Sequence, residues 1–297
     1  MATSFRFSYL KLITVLVAVS ALLFLLLPKS PTRPITQPPG DADRGEYLLA
    51  ISGCFGCHTD IENEGDALAG GKPVNTPFGN FYGPNITPDK NHGIGNWSLA
   101  QFSAAVREGL SPEGVPYYPV FPYTHFTGMS DQDVSDLWAA IKDRVPPSDQ
   151  ANKEHDLKFP FDIRPLMNAW RFMFFTNTPS KSDPSQPTAY QRGGYIVEVL
   201  AHCGACHTPR NLLGASIEDM AYQGGVDGAG NEVPAIDPAS LAEKGWTALD
   251  LEYALETGIM LDGDTFGGSM TDVVEHGTTF LTAEDLAAIA TYLLEDN

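Results

Sequence analysis

Two short strings hold the reactive side chains of this sequence: "CFGCH", with Cys54, Cys57 and His58, and "CGACH", with Cys203, Cys206 and His207. Each places two thiols three positions apart and an imidazole directly after them. That spacing is the attachment signature of a c-type haem. Each thiol can form a thioether to one porphyrin vinyl group, and the adjoining histidine falls under the iron as its proximal ligand. A thioredoxin-like pair would need a βαβ setting, of which the sequence gives no sign. A zinc site made of two cysteine pairs wants them about 15–20 residues apart, far closer than these clusters lie. The expectation is two covalently bound c-type haems, which use all four cysteines and leave none for a disulfide.

The elements that must position these groups form a repeat. "RGEYLLAISGCFGCHTD" from Arg44 matches "RGGYIVEVLAHCGACHTPR" from Arg192, with one extra residue before the second cysteine pair. "NWSLAQFSAAVREG" matches "GWTALDLEYALETG", pairing Trp97 with Trp246 and Gly109 with Gly258. "MSDQDVSDLWAAIKD" matches "LTAEDLAAIATYLLED". Each half therefore reads helix, C-x-x-C-H, long loop, helix, loop, final helix. Ser98, Thr247, Ser130 and Thr282 stand where N-caps belong, and Gly109 and Gly258 where helices stop. Leu281, Leu286, Ile289, Leu293 and Leu294 fall roughly on one helical stripe, read as core. Trp97 and Trp246 are read the same way.

The chain of 297 residues suits two domains. Residues 1–28 are expected to be a membrane anchor, since Leu12 to Leu27 is apolar but for Thr14 and Ser20 and no good cleavage site follows. A cleaved signal segment is the competing reading, and both export the body. Residues 29–41 read as a Pro-rich spacer, 42–145 and 190–297 as the two haem domains, and 146–189 as a linker. The apolar middle of that linker, Ile163 to Phe175 with Arg164 and Arg171, is expected to pack across both domains; docking to a partner is the second reading. With 37 acidic and 18 basic residues the net charge is −19, which excludes nucleic acid as a partner. From Asn211 onward Lys244 is the only Lys or Arg, so an acidic face could steer a basic redox partner or simply be solvated.

Beyond the haem motif, the strings "TPFGNFYGPNITPD", "GIGNWSLAQFSAAVREG", "YPVFPYTHF", "HCGACHTPRNLLG" and "MTDVVEHGTTFLTAEDLAAIATYL" carry a resemblance. The halves resemble class I cytochrome c domains. Together, over about residues 42 to 297, they resemble the multihaem cytochrome c subunit of membrane-associated dehydrogenases. These serve quinoprotein alcohol, flavin-dependent gluconate and molybdenum-type nicotinate or isoquinoline dehydrogenases. The resemblance implies an all-α fold, with two tandem class I cytochrome c domains behind the N-terminal anchor helix. It also implies a place on the periplasmic side of a bacterial inner membrane, a dehydrogenase catalytic subunit upstream, and quinone or a terminal oxidase downstream. Many relatives have three haem domains; this chain stops after two.

The resemblance places the family's sixth ligand of the second iron at Met270, with Met260 and His276 as rivals. In the first half relatives often read "YPAMPY", but here Phe121 occupies the methionine position and cannot coordinate iron. His125, in the same loop, is the best-placed donor. Met129 directly precedes the N-cap Ser130 and reads as a hydrophobic staple, matched by Leu281; Met129 as ligand, or no ligand, stay open. A bis-histidine first haem would sit at lower potential than a Met-ligated second one and pass electrons to it. If the first iron were open, a dihaem enzyme of peroxidase or thiosulfate-oxidising type would be the alternative function.

Overall fold

The computed structural model describes residues 2–27, 29–36, 38–178, 188–228 and 230–295, leaving out the side chains of 2–10, 21, 25 and 26. The N-terminal segment is α1 (Ala2–Leu26). In the first half, α2 (Ala42–Ile51) runs into α3 (Cys54–His58), a loop folds into β1 (Pro73–Thr76) and β2 (Gly79–Tyr82), and α4 (Leu99–Glu108), α5 (Tyr123–Phe126) and α6 (Asp131–Asp143) follow. The connecting stretch holds β3 (Asp156–Leu157) and α7 (Leu166–Phe174). The second half contains α8 (Ala189–Tyr195), α9 (Gly204–His207), β4 (Gly225–Val226), β5 (Glu232–Val233), α10 (Pro238–Glu243), α11 (Ala248–Thr257), α12 (Ser269–His276) and α13 (Ala283–Leu294).

In each half the first helix crosses the last, α2 on α6 and α8 on α13. Two glycines permit the crossings. A Cβ at Gly45 would stand 2.0 Å from the Asp136 carbonyl oxygen, and one at Gly193 would stand 1.9 Å from that of Ala288. Beside each glycine an arginine pairs with the facing helix: Arg44 with Asp133 and Asp136, Arg192 with Asp285. Ser98, Ser130, Thr247 and Thr282 all accept a hydrogen bond from the backbone N–H three residues on, which fixes the helix starts. Gly109 and Gly258 end α4 and α11 in the left-handed conformation.

The extra residue of the second half has a definite place. After α8 the chain widens into a π-turn over Ile196–Leu200, in which the Ala201 N–H reaches back five residues to the Ile196 carbonyl at 2.7 Å.

Two expectations about architecture are corrected. The protein is not all-α. β1, β2 and β3 form an antiparallel sheet, and β4 and β5 form a second one. The two-residue turn Pro77–Phe78 closes the first hairpin, and a Cβ at Gly79 would lie 2.3 Å from the Asp156 carbonyl oxygen, so glycine lets β3 approach. These strands are only two to four residues long, too short to give a period-two signal.

The second correction concerns the anchor. The segment is helical, but among the described residues no helix is long and apolar enough to cross a membrane. The end of α1 meets the body instead: Phe24 packs edge-on against Phe172 of α7 at 5.7 Å. The segment expected to be a spacer is tied along the first half, with the Thr32 and Arg33 N–H groups donating to the buried Glu108 carboxylate. Residues 179–187 of the expected linker lie outside the described residues.

One buried apolar cluster runs through both halves, from Leu48, Phe102 and Val134 to Ile196, Leu251 and Ile289. A smaller one joins Met167 and Trp170 of α7 to Phe81 and Tyr118 of the first half and Ala215 of the second. Trp170 also donates to the Leu213 carbonyl, and Arg171 to that of Glu108, so α7 touches both halves.

Candidate haem-binding sites

α3 and α9 present the two motifs in closely similar ways. The second cysteine of each pair, Cys57 and Cys206, is exposed, while Cys54 and Cys203 are half-buried; all four thiols are free. His58 and His207 are half-buried. Burial pushes the Cys54 and Cys203 thiols up to about 12, so they remain neutral, unlike the thiolate of a redox pair. Burial also holds both imidazoles below their ordinary value, against the opposing effect of a backbone hydrogen bond.

The imidazoles are oriented alike. His58 Nδ1 lies 2.7 Å from the Pro84 carbonyl oxygen, and His207 Nδ1 lies 2.7 Å from that of Pro234. A carbonyl can only accept, so Nδ1 carries the proton and Nε2 keeps its lone pair for a metal. Such a partner on the far nitrogen is the usual support of a metal-ligating histidine. Two neutral thiols and one oriented imidazole per motif fit the donor set of a c-type haem. Among the described residues no three His, Cys, Asp or Glu side chains gather as a bare metal ion would require. Sequence reasoning did not name these carbonyls. Their signal was present, since "YGPN" and "EVPA" put a proline 26 and 27 residues after the respective histidine.

The two motifs also meet. A Cβ at Gly53, just before Cys54, would lie 3.9 Å from Nε2 of His202, just before Cys203. α12, which carries Met270, packs against α3 of the first half.

The structure does not give all the distal candidates equal standing. Met270 is half-buried in the first turn of α12, His276 sits at the other end of that helix, and Met260 follows α11. Met129 is fully buried in the shared core, as a staple would be. Phe121 packs among Tyr117, Tyr123 and Phe126. The side chain of His125 turns to the second half: its Nδ1 lies 3.1 Å from the Glu198 carbonyl oxygen, and its ring centroid 6.1 Å from that of His202.

A further pair of residues binds the halves and was not foreseen. Tyr47 of the first half donates to Asp285 of the second at 2.5 Å, and Tyr195 of the second donates to Asp133 of the first. Each hydroxyl also faces the N-cap amide of the other half's last helix: Ser130 N–H at 3.0 Å from Tyr195, Thr282 N–H at 3.5 Å from Tyr47. The halves thus exchange tyrosines about an approximate two-fold relation.

No protein-family model matches the chain. A curated relative, a dihaem cytochrome c-type protein of Cereibacter sphaeroides, is 42% identical over 273 residues, covering 88% of this chain and 90% of that protein. The chain belongs to the dihaem c-type cytochromes. Other relatives of this dihaem cytochrome are longer. The fructose dehydrogenase cytochrome subunit of Gluconobacter japonicus is 38% identical over 90% of this chain and 54% of its own length. The alcohol dehydrogenase (quinone) cytochrome c subunit of Gluconobacter oxydans is 36% identical over 84% of this chain and 53% of its own length. The chain spans about half the length of these dehydrogenase subunits.

Proposed function

We propose that this dihaem cytochrome is an electron-transfer subunit. It takes electrons from a dehydrogenase catalytic subunit of quinoprotein, flavin or molybdenum type on the periplasmic side of a bacterial cell and hands them to quinone or a terminal oxidase. The observation that carries the proposal is the meeting of two similarly built sites, with Gly53 against His202 and α12 against α3. The names of the relatives, cytochrome subunits of fructose and alcohol dehydrogenases, supply the class of donor. When bound, haem supplies a reversible one-electron couple; the chain holds and tunes it. In this reading Cys54 and Cys57, and Cys203 and Cys206, form the thioethers. His58 and His207 are the proximal ligands and Met270 the distal ligand of the second iron. His125 serves the first iron through Nε2, because Nδ1 is engaged by Glu198.

The test begins with the chain expressed alongside a c-type haem maturation system. Its mass after denaturation should include two haems, falling by one in each of the double variants Cys54→Ala/Cys57→Ala and Cys203→Ala/Cys206→Ala. A chain that keeps no haem on denaturation refutes covalent attachment.

One observation favours a second reading. His125 faces the second half, and Phe121 offers no donor, which would leave the first iron open as in a dihaem enzyme. Carbon monoxide separates the readings. A carrier binds it at the reduced first haem only after His125→Ala, whereas an open iron binds it in the unmutated protein.

A further inference from the structure

One ion pair crosses between the halves beside both candidate sites. Lys72 Nζ lies 2.7 Å from Asp272 Oδ2, joining residues 200 positions apart. Lys72 directly precedes β1; its side chain is 18% exposed and that of Asp272 50%, so the pair is partly screened by water. Asp272 lies two residues after Met270 on α12. α12, which carries Asp272, packs against α3, so the pair ties the first motif to the helix of Met270.

α12 has little else to hold it. Val274 is its only buried residue, and its N-cap, Gly268, offers no side chain to its amides. Residues 261–265, 267 and 268, leading into it, are exposed. Within its own half, Thr271 donates to the Phe266 carbonyl and Ser269 lies 3.5 Å from Asp227. An exposed ion pair is worth little on a rigid scaffold, but a weakly packed helix has few other contacts to fix its position.

We propose that Lys72 and Asp272 are positioning residues. They hold α12, and with it Met270, against α3 of the first half, so the coordination of the second iron depends on a side chain of the first half. The inference rests on the assignment of Met270 as the distal ligand. Neither residue touches the iron; both act through the placement of the methionine. An electron carrier gains from such a tie because both sites then keep one fixed relation as the charge changes.

The experiment uses the full chain carrying its haems, in the oxidised form. It follows the methionine–iron charge-transfer band on heating, with far-ultraviolet circular dichroism as the independent record of unfolding. Lys72→Met and Asp272→Asn should each lose the band at a lower temperature than the unmutated protein, with the unfolding transition in place. The population lacking the bond should rise on the order of two- to fivefold, as for one partly screened ion pair. The reversal Lys72→Glu/Asp272→Lys should restore it. Met270→Ala is the control. If that variant keeps the band, the ligand assignment fails and the proposal with it. If Met270→Ala abolishes the band while Lys72→Met and Asp272→Asn leave its thermal loss unchanged, the ligand assignment stands and the positioning role is overturned.

Discussion

In the first half, the stretch from Arg44 to the cysteine pair is an ordinary α-helix, closed at Ser52 by a bond to the Leu48 carbonyl. In the second, the matching stretch is one residue longer and widens into the π-turn before Cys203. Yet the helix crossings, the Arg–Asp pairs and the histidine–carbonyl bonds are alike in both halves. The loops, the sheets and the distal candidates are not: a three-stranded sheet faces a two-stranded one, and Phe121 and His125 stand against Met270. Shared geometry therefore sits where backbones touch and where the motif histidines are aimed. Divergence sits in the approach to the second motif, in the sheets and in the loops that carry the proposed distal ligands, whose identity would set potential.

The largest expected effect tests whether the crossings are equivalent. Gly45→Ala and Gly193→Ala should each lower stability by on the order of 3 kcal/mol in urea unfolding, since a Cβ would collide with backbone rather than a movable side chain. Tolerance at Gly193 alone would show that the π-turn has loosened the second crossing.

Next come the buried carboxylates. Asp133→Ala should cost on the order of 3 kcal/mol, and Asp285→Ala somewhat less, because Asp285 is the less deeply buried of the two. Equal losses by chemical denaturation would contradict that ranking. Burial raises the pKa of Asp285, but hydrogen bonds from Arg192 and Tyr47 outweigh it and hold the carboxyl below its ordinary 3.8. Its stabilisation is therefore complete above that value and is lost as pH falls through the lower folded-state pKa. The difference in melting temperature between the unmutated protein and Asp285→Asn should shrink on acidification below 3.8; a constant gap would show that the ion pair is not its source.

The exchanged tyrosines follow. Tyr195→Phe should cost about 1 kcal/mol and Tyr47→Phe less, since Tyr195 is buried and has the closer amide partner. Thermal melts of both, and of the double variant, check the ranking. The smallest effect is at the caps: Ser98→Ala and Thr247→Ala should each cost about 0.5–1 kcal/mol, read as a lower urea midpoint.

Much of this was legible because it is local. A serine or threonine before a helical pattern caps it through its own amide neighbours, and C-x-x-C-H needs no distant partner to state its chemistry. The π-turn was half legible: the extra residue stood in the alignment of the repeats, but only backbone hydrogen bonding shows how it is absorbed. The sheets escaped because Gly225–Val226 against Glu232–Val233 is too short to show alternation. Tyr47 and Tyr195 occupy the same place in "RGEY" and "RGGY", but no pattern within one half could say that each serves the other. The orientation of His125 was hidden for the same reason, since its neighbours Glu198 and His202 come from the repeat that follows.

The π-turn bears on how a duplicated chain can age. One residue added to an α-helix rotates all that follows by about 100°, which would swing Cys203 to Cys206 and His207 away from the Pro234 carbonyl. By taking the extra residue into a single wide turn, the second repeat separates the fit of α8 against α13 from the aim of α9. Copies that began alike can then differ by whole residues, as well as by side chains, without disturbing the part of each that grips its cofactor.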